Sequence, residues 1–138
     1  MFIAKNKVRI HDIDLSGILY FPRQFRFVND ALEDFIENEG YSFDKIFHKE
    51  NFVFAIVHCE ADYYFPLRVG DQLNVHVLVE RIGTTSFIML YEIYKVDHTH
   101  VGSAKTIHVT LDRVDRKKIP VPNSLKKVLE KHLMQQEQ

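Results

Sequence analysis

Residues 22–39, PRQFRFVNDALEDFIENE, carry a helical repeat long enough to serve as a core helix, and most of the chain beyond them is not helical. Phe25, Val28, Leu32, Phe35 and Ile36 recur at spacings of three and four, which lines one face of a helix. Pro22 suits a first helical position, and Gly40 suits the stop. Beyond a polar connection containing HKEN, the segments 52–65, 72–82, 85–96 and 101–114 are rich in β-branched and aromatic residues and read as strands. Period two is clearest in the second of them, where Leu73, Val75, Val77 and Val79 share one side. Residues 2–10 add a first strand. Residues 123–133 close the chain as a short amphipathic helix, with Asn123 or Ser124 as its cap.

One long helix and five strands leave few architectures. Short turns join the four later strands, so they pair antiparallel. The helix must bury its apolar face against the sheet, which makes an α+β domain. A curved antiparallel sheet wrapped around one long central helix is the hot-dog arrangement, and a cone-shaped cystatin-like or isomerase-like fold satisfies the same pattern. The 138 residues, 46% apolar and 27% charged, fit one globular domain over 1–138. A net charge of −1 gives no electrostatic basis for binding nucleic acid or a membrane surface. Cys59 is the only cysteine, and the opening MFIAKNKVRI lacks the apolar run of a signal peptide. The expectation is a cytoplasmic protein.

The segment HDIDLSGILYFPRQFR, residues 11–26, places two carboxylates in a turn just before the helix. It resembles the Asp-x-Asp-x-x-Gly-apolar-apolar-aromatic signature of the 4-hydroxybenzoyl-CoA thioesterase-like hot-dog family. ADYYFPLRVGD at 61–71 resembles that family's second landmark, and TIHVTLDRVDRKKIPVP at 106–122 its last strand and exit. The resemblance covers nearly the whole chain. It implies a hydrolase that cleaves an acyl-CoA or aryl-CoA thioester to free acid and CoA, with no cofactor. It also implies a homodimer or a dimer of dimers (a homotetramer). Residue by residue, Asp14 matches the catalytic carboxylate, Gly17 the turn glycine, and Phe21 the residue whose backbone N–H receives the thioester carbonyl. The sequence departs from a large branch that has histidine where Phe21 stands. It also lacks the basic cluster that the hydroxybenzoyl branch can carry before Ser86 and Phe87.

Elementary chemistry agrees with that assignment. Thioester hydrolysis needs an oxygen nucleophile and a stabiliser for charge on the carbonyl oxygen. A helix start supplies unpaired N–H groups and about half a positive charge. Pro22 has no N–H, so Phe21 is the natural donor. Asp14 then acts either as nucleophile or as general base. Tyr20 and Phe25 are candidates for lining an acyl pocket. Arg113, Arg116, Lys117 and Lys118 are candidates for holding the CoA phosphates, against the simpler reading of a solvated loop. Asp12 reads as structural. Asp30, Glu33, Asp34 and Glu37 read as a solvated helix face, although Asp30 and Glu33 lie near the active end. The eight histidines show no metal-ligand spacing, so no metal is expected. Two other functions compete. A non-catalytic acyl-thioester or partner-binding hot-dog module needs no carboxylate at the carbonyl. A hydratase needs a histidine on the central helix, and residues 22–39 contain none.

Overall fold

The computed structural model describes residues 1–134. The order of elements is β1 (Phe2–Lys7), α1 (Gln24–Asn38), α2 (Phe43–His48), β2 (Phe52–Tyr63), β3 (Gln72–Ile82), β4 (Ser86–Lys95), β5 (His100–Asp112) and α3 (Asn123–Glu130). The five strands form one antiparallel sheet in the order β1-β3-β4-β5-β2. Together with α1 they make the hot-dog arrangement.

Alternation drives the packing. Leu73, Val75, Val77 and Val79 of β3 and Phe87, Met89, Tyr91 and Ile93 of β4 are buried, because every second side chain of a strand faces the helix. On α1 the buried set is Phe27, Val28, Ala31, Leu32, Phe35 and Ile36, with Gln24 at the start. This shifts the expected stripe by part of a turn. Phe27 is buried completely, while Phe25 is only partly covered.

Four local readings change. The first strand stops at Lys7, and Ile10–Asp12 forms a single 3₁₀ turn instead of continuing it. Pro22 does not open the α-helix; it sits inside a 3₁₀ turn, Phe21–Arg23, that leads into it. The polar connection after Gly40 contains a helix, α2, whose Ser42 side chain accepts a bond from the Lys45 N–H at 3.1 Å. The cap of α3 is Pro122, so neither Asn123 nor Ser124 serves. The chain then leaves α3 and adds a parallel bridge at Val79↔Leu133, alongside β3 where β1 has ended.

Two features of the sheet position the site. β2 lies at an edge and pairs only with β5 among the described residues, and its register shifts between Ile56 and His58. Gly102 of β5 has almost no room above it. A Cβ there would lie 2.7 Å from Gln24 Oε1 and 2.8 Å from the Asp62 carbonyl oxygen. An isolated glycine within a strand marks such close approach.

Candidate active site

The segment between β1 and α1 folds as a short hairpin held by a bridge at Ile13↔Leu19. Its tip is a turn in which Gly17 N–H donates to the Asp14 carbonyl at 3.1 Å. Gly17 has φ +82°, a left-handed conformation that costs glycine nothing. The Asp14 carboxylate is exposed at this tip and accepts from the Ser16 N–H at 2.8 Å and from the Ser16 hydroxyl. Those two bonds hold its carboxyl below the ordinary carboxylate value.

Asp12 is the opposite case. It is completely buried and accepts from the Arg9 N–H at 2.8 Å, from Arg23 Nε at 3.2 Å and from Arg26 Nε at 2.8 Å. Burial pushes its carboxyl up, but the Arg26, Arg9 and Arg23 bonds outweigh that and bring it down to about 2. This cage ties the loop to α1. Arg26 also reaches Asp30 at 3.0 Å, so Asp30 belongs to the same network.

Phe21 opens the 3₁₀ turn on the returning arm of the hairpin. Tyr20 N–H donates to the Asp12 carbonyl at 2.9 Å, and Arg23 N–H to the Tyr20 carbonyl at 2.8 Å. The N–H of Phe21 has no partner among the described residues, as expected for the first residue of a helical turn. Its carbonyl accepts from the Tyr63 hydroxyl at 2.5 Å. Asp14 and the Phe21 N–H therefore belong to one hairpin, Asp14 at its tip and Phe21 on its returning arm. Tyr20 packs its ring against Phe21 at 5.4 Å.

A second fastening acts from inside. Gln24 is 1% exposed, and its Nε2 donates to the carbonyls of Asp62 (3.1 Å) and Ser103 (3.0 Å), directly over Gly102. The Phe21–Arg23 turn is thus fixed to the β2–β5 pair from two sides. Two cavities flank it. One of about 410 Å³ runs along α1 past Pro22, Arg23 and Phe25 to Tyr91 and Thr106. The other, of about 340 Å³, lies against Phe21, Gln24 and Tyr63–Leu67.

The family model of the thioesterase-like superfamily matches residues 8–129. The chain belongs to that superfamily. Among relatives of this thioesterase-like protein, a 1,4-dihydroxy-2-naphthoyl-CoA hydrolase of Prochlorococcus marinus is 31% identical over 121 residues, covering 83% of this chain and 77% of the relative. The corresponding hydrolase of Nostoc punctiforme is 30% identical over 129 residues, covering 94% and 86%. The crystal structure of a 1,4-dihydroxy-2-naphthoyl-CoA thioesterase from Synechocystis superposes with a TM-score of 0.86 at 26% identity, covering 93% of this chain and 94% of that one.

In this thioesterase-like chain the other sequence candidates scatter. Phe25 lines the larger cavity. Arg113, Arg116, Lys117 and Lys118 follow β5 at the end where Asp112 pairs with Phe52, whereas Phe21 meets Tyr63, which pairs with Gly102. Eleven strand positions separate those ends, on the order of 30 Å. Within one chain the basic run and the hairpin are not brought together. The run is also interleaved with acids: Asp112 accepts from the N–H groups of Val114 and Asp115, and Asp115 from that of Lys117. No three His, Cys, Asp or Glu side chains converge among the described residues. Among the described residues no helix is long and apolar enough to cross a membrane.

Sequence reasoning missed Gln24, Tyr63 and Gly102. Gly102 alone left a local signal, a glycine inside an otherwise β-forming run. The importance of Gln24 depends on partners 38 and 79 positions away, which no local pattern reports.

Proposed function

We propose that this chain hydrolyses the thioester of an acyl-CoA or aryl-CoA, with an aryl-CoA of the 1,4-dihydroxy-2-naphthoyl type as the first substrate to test. The observation that carries the reading is an ionised, exposed carboxylate on the same short hairpin as an unpartnered N–H at the start of the 3₁₀ turn that leads into α1. The Phe21 N–H receives the thioester oxygen as it becomes negative, and one such donor is typically worth roughly 3 kcal/mol. Asp14 either attacks the carbonyl carbon, expelling CoA thiolate and leaving a mixed anhydride that water cleaves, or takes a proton from the attacking water. Gly17 gives the turn its shape, and Phe25 bounds the space for the acyl group, whereas Tyr20 lines neither cavity. Neither route needs a metal or a cofactor.

The exposed edge of β2 supports a homodimer or a dimer of dimers. Ile56 and Val57 there are 48% and 60% exposed, beside unpaired backbone groups that a second copy can satisfy. Antiparallel pairing of two β2 strands brings the basic run of one copy toward the Tyr63 end of the other. Arg113, Arg116, Lys117 and Lys118 then act on CoA phosphates across the interface. The free, exposed thiol of Cys59 fits a reducing, cytoplasmic compartment.

The test is a panel of acyl-CoA and aryl-CoA thioesters with thiol release monitored. Turnover of at least one aryl-CoA is expected. Tight binding of CoA thioesters without thiol release would favour the non-catalytic module.

A further inference from the structure

The larger cavity has mostly apolar walls, with Phe25, Val28, Leu32 and Ile56 among them. Arg23, Arg26 and Asn29 also line it, as do the hydroxyl-bearing Tyr91 and Thr106, which we take as its base. The base is a chain of three buried groups. Tyr91 Oη lies 3.1 Å from Thr106 Oγ1, which lies 2.8 Å from His108 Nε2. Tyr91 and His108 are 0% exposed and Thr106 is 2% exposed, yet Tyr91 and Thr106 both line the cavity. His108 is stacked on Phe87 at 4.8 Å, with Phe54 edge-on at 5.5 Å. Burial lowers its pKa to about 4, so at neutral pH the ring carries one proton.

A count of protons shows what is missing. His108 Nδ1 is buried and has no partner among the described residues. A bare ring nitrogen costs less there than an unsatisfied N–H, since buried orphan donors are the rarer defect. The proton therefore sits on Nε2 and is donated to Thr106 Oγ1. Thr106 and Tyr91 then hold two hydroxyl protons and share one remaining link. One hydroxyl proton is left without an acceptor, and each of the two residues that can carry it lines the cavity.

We propose that the Tyr91–Thr106 hydroxyl pair, backed by His108, selects acyl groups that carry an oxygen acceptor such as a ring hydroxyl at their buried end. This rests on the reading that the cavity receives the acyl group of the thioester. A ligand oxygen takes the spare proton, whereas an unsubstituted ring leaves it unpaired in an apolar cavity. Sites built to hydrogen-bond a substrate oxygen reject the analogue that lacks it far more strongly than apolar pockets reject a size change.

The experiment compares kcat/KM for hydroxylated and unsubstituted pairs of naphthoyl-CoA and benzoyl-CoA thioesters. The wild-type protein is expected to favour the hydroxylated member of at least one pair by about tenfold or more. In the Tyr91→Phe/Thr106→Val double variant, which keeps the volume and removes both hydroxyls, that ratio should fall to within about twofold. A folded double variant that keeps the wild-type ratio overturns the proposal, as does a wild-type protein without preference in any pair. Thermal shift of the wild-type protein with the free hydroxynaphthoic and naphthoic acids gives a second readout, independent of turnover and of how the variant folds. A larger shift with the hydroxylated acid is expected, and equal shifts count against the proposal. Absence of any thioester hydrolysis would instead remove the hydrolase reading, and the acid-binding comparison would still decide the selectivity.

Discussion

Asp12 and Asp14 stand two residues apart in one hairpin, and both are held below the ordinary carboxylate value by different means. Asp12 is walled in by the Arg9 N–H, Arg23 and Arg26, with its oxygens spent on the fold. Asp14 is exposed, and Ser16 occupies only one of its oxygens. A buried carboxylate with charged partners is a structural clamp, whereas an exposed one with a free oxygen is available to a ligand. The same residue type is spent on the fold or left open to a ligand by its partners.

The comparison breaks most readily on stability. Asp12→Ala leaves two arginines facing an empty site and should cost about 3–5 kcal/mol in chemical denaturation. Asp14→Ala should stay within about 0.5 kcal/mol, as exposed substitutions do. Equal losses would erase the distinction. The acid limb of stability carries the same signature. The folded pKa of Asp12 lies below its unfolded value, so its contribution is complete above the unfolded value of 3.8. It is lost as pH falls through about 2. The shift amounts to roughly 2 kcal/mol. Acid unfolding of an Asp12→Asn variant should lack that part of the slope.

The activity side is the next largest effect. Asp14→Asn should fold normally and lose at least about a hundredfold in thioesterase kcat, the usual scale for a positioned acid–base group. Near-wild-type turnover in the folded variant would show that Asp14 belongs with Asp12 after all. Gly102→Ala probes the fastening that both aspartates rely on. Its Cβ would meet Gln24 and the Asp62 carbonyl below 3 Å, so the Phe21 turn must shift. A loss of about 1–3 kcal/mol is expected, with kcat falling more than KM changes. A change confined to KM would place the strain elsewhere.

Two smaller effects sharpen the picture. Ser16→Ala removes the side-chain bond that contributes most to the lowered Asp14 pKa, so the acid limb of kcat should move upward toward the ordinary carboxylate value. An unmoved limb would mean that Asp14 is not the group being titrated. Arg113→Ala/Arg116→Ala should raise KM for CoA thioesters a few-fold with little change in kcat. The effect should shrink as salt rises and vanish for a pantetheine thioester, which has no nucleotide to hold. Equal losses on both substrates would return the basic run to a structural role.

Most of the sheet was legible because its signals are local. Residues 72–82 alternate so regularly that β3 has the expected limits; β2, β4 and β5 differ by one or two residues at an end, and β1 stops three residues early. The turn at Gly17 was legible for the same reason, since glycine acts on its own backbone, whereas Pro22 marked the 3₁₀ turn before α1 instead of the start of the helix. α2 was hidden because six residues hold too little periodicity to separate from a polar connection. The basic run could be read only as a candidate phosphate clamp or a solvated loop, because charge is visible in a sequence, while distance along a paired strand is not.

The sequence by itself determined the order of the strands and of the first and last helices, the alternation that builds the core and the turn with its two carboxylates, because each depends on spacing along the chain. Only the tertiary structure decided which carboxylate is caged. Arg23 and Arg26 reach Asp12 across a turn whose shape depends on α1 resting on the sheet. It also decided that Gln24 lies over Gly102, and that Tyr91, Thr106 and His108 join into one chain beside a cavity. Except for Thr106 and His108, neighbours on β5, those groups come from different strands or lie far apart in the chain. Short-range hydrogen bonds between such groups exist only after the sheet has closed around the helix, so nothing local in the sequence encodes them.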